Sequence, residues 1–122
     1  MNEYGRSLLE RENRRRDESL ARSEEILVRL KRLIAEVAPS YPEIGTVSVF
    51  GSVARKTAAE ESDIDLFVDH LDPEHFWKLM GLVSRELGRD VDIITEDDAN
   101  KGFVSLVAPQ GEVIYARQNP AP

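Results

Sequence analysis

Apolar residues in the first forty positions recur at Leu20, Ile26, Leu27, Leu30, Leu33, Ile34 and Val37. Steps of three and four put them on one face, so residues 3–38 predict a long helix with one apolar stripe. Glu25 and Arg29, four apart in the favourable order, support it. Pro39 stops the helix and Pro42 keeps it from restarting. Between Glu10 and Leu20 there is no apolar residue. That run reads as a solvated helix or a frayed arm, with Arg14, Arg15 and Arg16 open to a partner and Leu8 and Leu9 as a second contact point.

The period then changes from 3.6 to 2. In Ile44–Phe50, Val47 and Val49 alternate with Thr46 and Ser48, which predicts a strand. Gly51-Ser52 ends it, with Ser52 placed to cap a short helix at Val53–Lys56, and Thr57–Glu61 as a loop. Ile64–Val68 is the second strand, with Ile64, Leu66 and Val68 facing a core. Asp72-Pro73-Glu74 starts a helix that runs to Leu87 along Phe76, Leu79, Met80, Val83 and Leu87, and Gly88 stops it. Val91–Thr95 and Glu112–Ala116 are further strands. Glu96–Lys101 reads as a turn or short helix, Phe103–Val107 as a short helix, and Gln110-Gly111 as a turn. The order argues an α/β fold, a mixed β-sheet flanked by helices, with a long N-terminal helix. The expected division is an arm at 1–38, a domain at 39–117 and a disordered tail at 118–122.

Charge narrows the partners. Residues 1–38 hold nine Lys/Arg against eight Asp/Glu, whereas residues 39–122 hold seven against fifteen, a balance of −8. A domain this acidic repels a nucleic-acid backbone, so no direct nucleic acid is expected as ligand. A small phosphate compound that arrives with its own cation is compatible. The absence of cysteine excludes disulfides, thiolate metal sites and thiol nucleophiles. No stretch is apolar and long enough for a membrane span, and a cytoplasmic protein is the default expectation.

Against this background three acids stand out. Asp63 and Asp65 lie on one face of the second strand, about 7 Å apart at the Cα atoms from a rise of roughly 3.3 Å per residue. Asp92 sits in Val-Asp-Ile-Ile of the third strand. Carboxylates among aliphatics are costly unless they meet a cleft or a cation, and Mg²⁺ takes one or two carboxylates plus substrate phosphates. If the two strands are neighbours, the three acids suit a two-metal centre. Gly51-Ser52 supplies an anion-binding turn beside them. Arg55 is suited to an acid or to a nucleotide phosphate. An EF-hand, a P-loop and a dinucleotide fingerprint are all excluded by the residues present. His70 and His75 read as surface or helix-start packing rather than ligands, and Phe76 and Trp77 as core or interface.

Taken together, Gly-Ser-x-Ala-Arg, then Ser-Asp-Ile-Asp-Leu, then Val-Asp-Ile-Ile after a helix resembles the DNA polymerase β-like nucleotidyltransferases, and at this size their minimal nucleotidyltransferase members. The resemblance covers about residues 44–116. It implies transfer of AMP, or another NMP, from ATP or another NTP to a hydroxyl, with Mg²⁺, two ions being expected. It implies that Gly51, Ser52, Arg55 and Ser62 bind the nucleotide and that Asp63, Asp65 and Asp92 hold metal and do the chemistry. Where relatives commonly have Gly after the Arg, this chain has Lys56. Minimal members are similar to antitoxins that add AMP to a tyrosine of a HEPN ribonuclease toxin. That implies a HEPN-type partner protein and a homo- or hetero-oligomer. The alternatives are an antitoxin that masks its toxin by binding alone and a transferase acting on a small molecule such as an antibiotic.

Overall fold

The computed structural model describes residues 2–97 and 111–117. The expected helix at 103–107, part of the two flanking turns and the tail at 118–122 lie outside the described residues. Helix α1 spans Glu3–Val37 and opens on Asn2, whose Oδ1 accepts the Gly5 N–H at 2.7 Å. Ile26, Leu27, Leu30 and Ile34 are buried as their spacing requires. Leu20, expected on the same stripe, stays 44% exposed. The first residues of α1 to meet the body are Arg22 and the buried Ser23, so residues 3–21 reach past it. At 1.5 Å per residue they form an arm about 30 Å long. The arm is helical through its charged run. Glu10 and Arg14, Glu12 and Arg16, and Glu18 and Arg22 stand four apart in the favourable order, and Arg15 meets Glu12 at 3.9 Å.

After a 3₁₀ turn at Ala38–Ser40, strand β1 runs Thr46–Phe50, helix α2 takes Gly51–Ala54 and strand β2 runs Ile64–Val68. The helix expected at Asp72 begins as a 3₁₀ turn, Pro73–His75, capped by Asp72 accepting from the Glu74 N–H at 3.2 Å. Helix α3 proper is Phe76–Leu87 and ends at Gly88 in the left-handed region (φ 65°). His75 packs at this start as expected. Its Nδ1 meets Glu43 Oε2 at 2.7 Å, and its ring stands edge-on to Tyr41. Strands β3, Val91–Ile94, and β4, Glu112–Ala116, complete a four-stranded sheet of order β3-β2-β1-β4. β2 and β3 are parallel across the α3 crossover, and β1 is antiparallel to β2 and to β4, so the sheet is mixed. Val47, Val49, Ile64, Leu66, Val68, Val91 and Ile93 share one core with Leu30 and Ile34 of α1 and Leu79 and Val83 of α3. Both long helices thus cover one face, and Arg29 of α1 donates to the Glu86 carbonyl of α3 at 2.7 Å. The alternate residues, Asp65 and Asp92 among them, are left to the other face.

The end of the sheet away from Asp65 is closed by an acid that sequence patterning did not single out. Asp69 accepts from the Gly45 N–H at 2.8 Å, the Thr46 N–H at 2.5 Å and the Thr46 hydroxyl at 2.9 Å. Burial alone would raise its pKa, but the hydrogen bonds from Thr46, His70 and Gly45 outweigh burial and hold it below the usual carboxylate value. Asp69→Ala should cost about 2 kcal/mol in urea unfolding at neutral pH, because two half-buried N–H groups lose a charged acceptor. With its native pKa below the unfolded one, this contribution is complete at neutral pH and fades as pH falls through the native pKa. The gap between wild type and variant should close there.

Candidate functional site

The site is built where strand ends of opposite polarity meet. β1 arrives at Phe50, which pairs with Asp65 of β2, and Asp65 pairs in turn with Asp92 of β3. Neighbouring strands lie about 4.8 Å apart, so the two carboxylates stand side by side on the face the helices leave open. Asp63 precedes β2 by one residue and is exposed. The two acid-bearing strands are neighbours, and the register puts Asp92 beside Asp65 rather than beside Asp63.

The charges respond to this crowding. Burial is the largest cause that pushes the Asp65 carboxyl up, followed by the negative charges of Asp92 and Asp63, while Arg55 draws it down. No group of three His, Cys, Asp or Glu among the described residues is gathered closely enough to chelate an ion as it stands. The donor set is nevertheless all hard oxygen and mutually repulsive, which is the chemistry that fits Mg²⁺. A cation between the carboxylates relieves the repulsion that raises Asp65.

Gly51 is fitted to this acid. Its φ is 69°, and a Cβ there would stand 2.5 Å from Asp65 Oδ2. Only glycine allows both the turn and the approach. Gly51 opens α2, whose leading N–H groups have no carbonyl of their own helix to donate to. Ser52 lies within α2 and does not cap it, contrary to expectation. The N-cap is Phe50, without a side-chain hydrogen bond. The Ser52 carbonyl instead accepts from the Thr57 N–H at 2.8 Å and closes the turn. Arg55, at the far end of α2, is exposed and within 4 Å of no carboxylate among the described residues, so its reach toward Asp65 is one of field rather than contact. The Ser62 hydroxyl accepts from the Ala59 N–H at 2.7 Å, and the Ser62 carbonyl accepts from Arg89 at 2.9 Å. Ser62 thus shapes the loop ahead of Asp63. It also lines a cavity of about 370 Å³ with Glu60, Asp63, Arg89 and Asp90.

Sequence patterning missed what holds the loop between Gly51 and Asp63. Three consecutive residues of α1 reach it. Arg22 donates to the Ala58 carbonyl at 2.9 Å, the buried Ser23 hydroxyl accepts from the Ala58 N–H at 3.0 Å, and Glu24 pairs with Lys56 at 3.7 Å. These contacts span more than thirty residues, and no local pattern announces them.

The model of the family described as polymerase beta, nucleotidyltransferase, matches residues 32–120. A candidate protein adenylyltransferase of Methanocaldococcus jannaschii, MJ1217, is 34% identical over 89 residues, 70% of this chain and 87% of that one. The protein adenylyltransferase MntA of Shewanella oneidensis is 28% identical over 90 residues, 71% of this chain and 65% of MntA. Among solved structures, a toxin–antitoxin crystallised with AMP-PNP has a TM-score of 0.62 at 26% identity, with 72% of this chain and 74% of that chain covered. The arm ahead of residue 23 falls outside the stretch that the family model matches.

Proposed function

This chain belongs to the polymerase beta nucleotidyltransferase family, and we propose that within it the chain is an adenylyltransferase that moves AMP from ATP to a hydroxyl of a partner protein, a HEPN-type toxin that it silences as antitoxin. The observation that carries the reading is the in-register pair Asp65 and Asp92 against Gly51, a carboxylate face beside a tight glycine turn. It is supported by the similarity to MntA and to a toxin–antitoxin crystallised with an ATP analogue.

In this reading the leading amides of α2, with the Ser52 hydroxyl, receive the triphosphate, and Arg55 adds charge at the far end of the turn. Asp63, Asp65 and Asp92 would hold Mg²⁺, which when bound supplies charge neutralisation at the phosphates. Asp92, exposed at the start of β3, takes the proton from the acceptor hydroxyl. The acceptor oxygen bonds to the α-phosphorus, the bond from that phosphorus to the β-phosphate bridge breaks, and pyrophosphate leaves. The protein acceptor agrees with the acidic surface, which suits a basic, RNA-cleaving partner.

Incubation with ATP labelled at the α-phosphate, Mg²⁺ and the purified product of the neighbouring gene tests the reading. The expected result is label on a tyrosine of the partner, absent with Asp63→Asn. Binding and toxin inhibition without label, equal for wild type and variant, would replace catalysis by masking. Label on an aminoglycoside and not on protein would replace the acceptor.

A further inference from the structure

Lys56 follows the phosphate turn in the left-handed region, with φ 65°. A side chain there is strained, and glycine takes that conformation freely. The strained lysine is held at its far end by two carboxylates from different elements. Its Nζ lies 3.7 Å from Glu24 Oε1 on α1 and 3.9 Å from Glu112 Oε2 on β4. The Glu112 Oε2 atom is buried and receives no hydrogen bond among the described residues, so the ammonium is the charge that answers it. The Lys56 N–H donates to the Val53 carbonyl at 3.2 Å, and the next residue, Thr57, donates to Ser52. Backbone strain, the end of α2 and two outside anchors therefore meet at one residue, five positions after Gly51.

We propose that Lys56 is a positioning residue for the nucleotide. Its ammonium clips α2 to α1 and to the first residue of β4, and so fixes the direction of the Gly51–Ala54 amides that receive the triphosphate. The inference rests on the proposed nucleotide site and extends it to a residue that touches no substrate. The side chain holds by charge a conformation that glycine adopts without help. Ion pairs this exposed contribute little to global stability. The effect is therefore expected in the order of the turn rather than in the melting temperature.

The test measures the affinity of AMP-PNP with Mg²⁺, the KM for ATP, kcat, and amide exchange of residues 51–57 in the full chain. Lys56→Met should weaken AMP-PNP binding and raise KM about five- to tenfold, leave kcat within about twofold, and speed exchange in the turn. Lys56→Arg should restore affinity. The double variant Glu24→Gln, Glu112→Gln should match Lys56→Met, and the triple variant should be no worse than either. Wild-type affinity and exchange in Lys56→Met would overturn the proposal. So would loss in Lys56→Met with none in the double variant, because that pattern marks a direct phosphate contact. AMP-PNP binding and exchange are read without turnover, so a chain that binds nucleotide but transfers no AMP sinks the proposed function and still tests the clip.

Discussion

Asp65→Asn should abolish adenylyl transfer and, at the same time, stabilise the metal-free protein. Activity should fall at least on the order of 10²–10³-fold, the scale on which losing one preorganised electrostatic contact slows an active site. The stability gain follows from the same geometry. Asp65 is half-buried, its carboxyl faces Asp92 across the parallel pair, and burial together with those neighbouring charges pushes its pKa up. A carboxyl raised in the folded state favours folding while it is protonated, and that favour is lost as pH rises through the folded pKa. Above that pKa the charged Asp65 is thus a liability, which the amide removes. Like charges directly opposite on neighbouring strands cost on the order of 0.2–1 kcal/mol, so the melting temperature should rise by about 1–4 °C at pH 7.5 without metal. Added Mg²⁺ should stabilise wild type and leave the variant nearly unmoved. A scanning-calorimetry pair with and without Mg²⁺ reads both effects, and a variant less stable than wild type in metal-free buffer would refute the crowding.

Gly51→Ala should be nearly as damaging, by a different route. The added Cβ stands 2.5 Å from Asp65 Oδ2 at φ 69°, so either the turn or the acid must move. Backbone strain of this kind costs about 1–2 kcal/mol, and displacing the carboxylate adds to it. AMP-PNP affinity and transfer should both fall at least about tenfold, with a loss of urea stability that Asp65→Asn does not share. Combining Gly51→Ala with Asp65→Gly, which empties the space, should restore part of the stability and none of the activity. Titration calorimetry and urea unfolding of the two variants check this, and full stability in the single variant would show that the close approach does not constrain the turn.

The sequence displays those parts of the fold that depend on local pattern. The shift from a 3.6-residue to a 2-residue period separates α1 from β1. The Gly88 stop and the limits of β4 agree with the residues that predict them. Within the site, the alternation that buries Ile64, Leu66 and Val68 sends Asp65 to the open face. The parts that were not legible depend on long-range partners. Whether Asp65 pairs with Asp92 is decided by sheet register, to which α3 contributes through its crossover. Ser52 reads as a cap because serine before a short helix usually is one, yet here Gly51 already turns the chain and Ser52 falls inside the helix. Leu20 has a stripe spacing but no sheet opposite it. Asp69 looks like any acid at a strand end until Gly45 and Thr46 fold back on it. No local pattern marks Lys56, and its partners Glu24 and Glu112 come to it only through the fold.

The arm of α1 has a consequence for how the molecule moves in water. Its length of about 30 Å is comparable with the diameter of a body of roughly 100 residues, whose radius of gyration is near 13 Å. A rod of that size drags far more solvent than its mass suggests. The monomer of 13.8 kDa will tumble and diffuse as a heavier particle. A gel-filtration column calibrated with spheres will therefore overestimate the mass of a single chain, whereas light scattering, which weighs rather than sizes, will not.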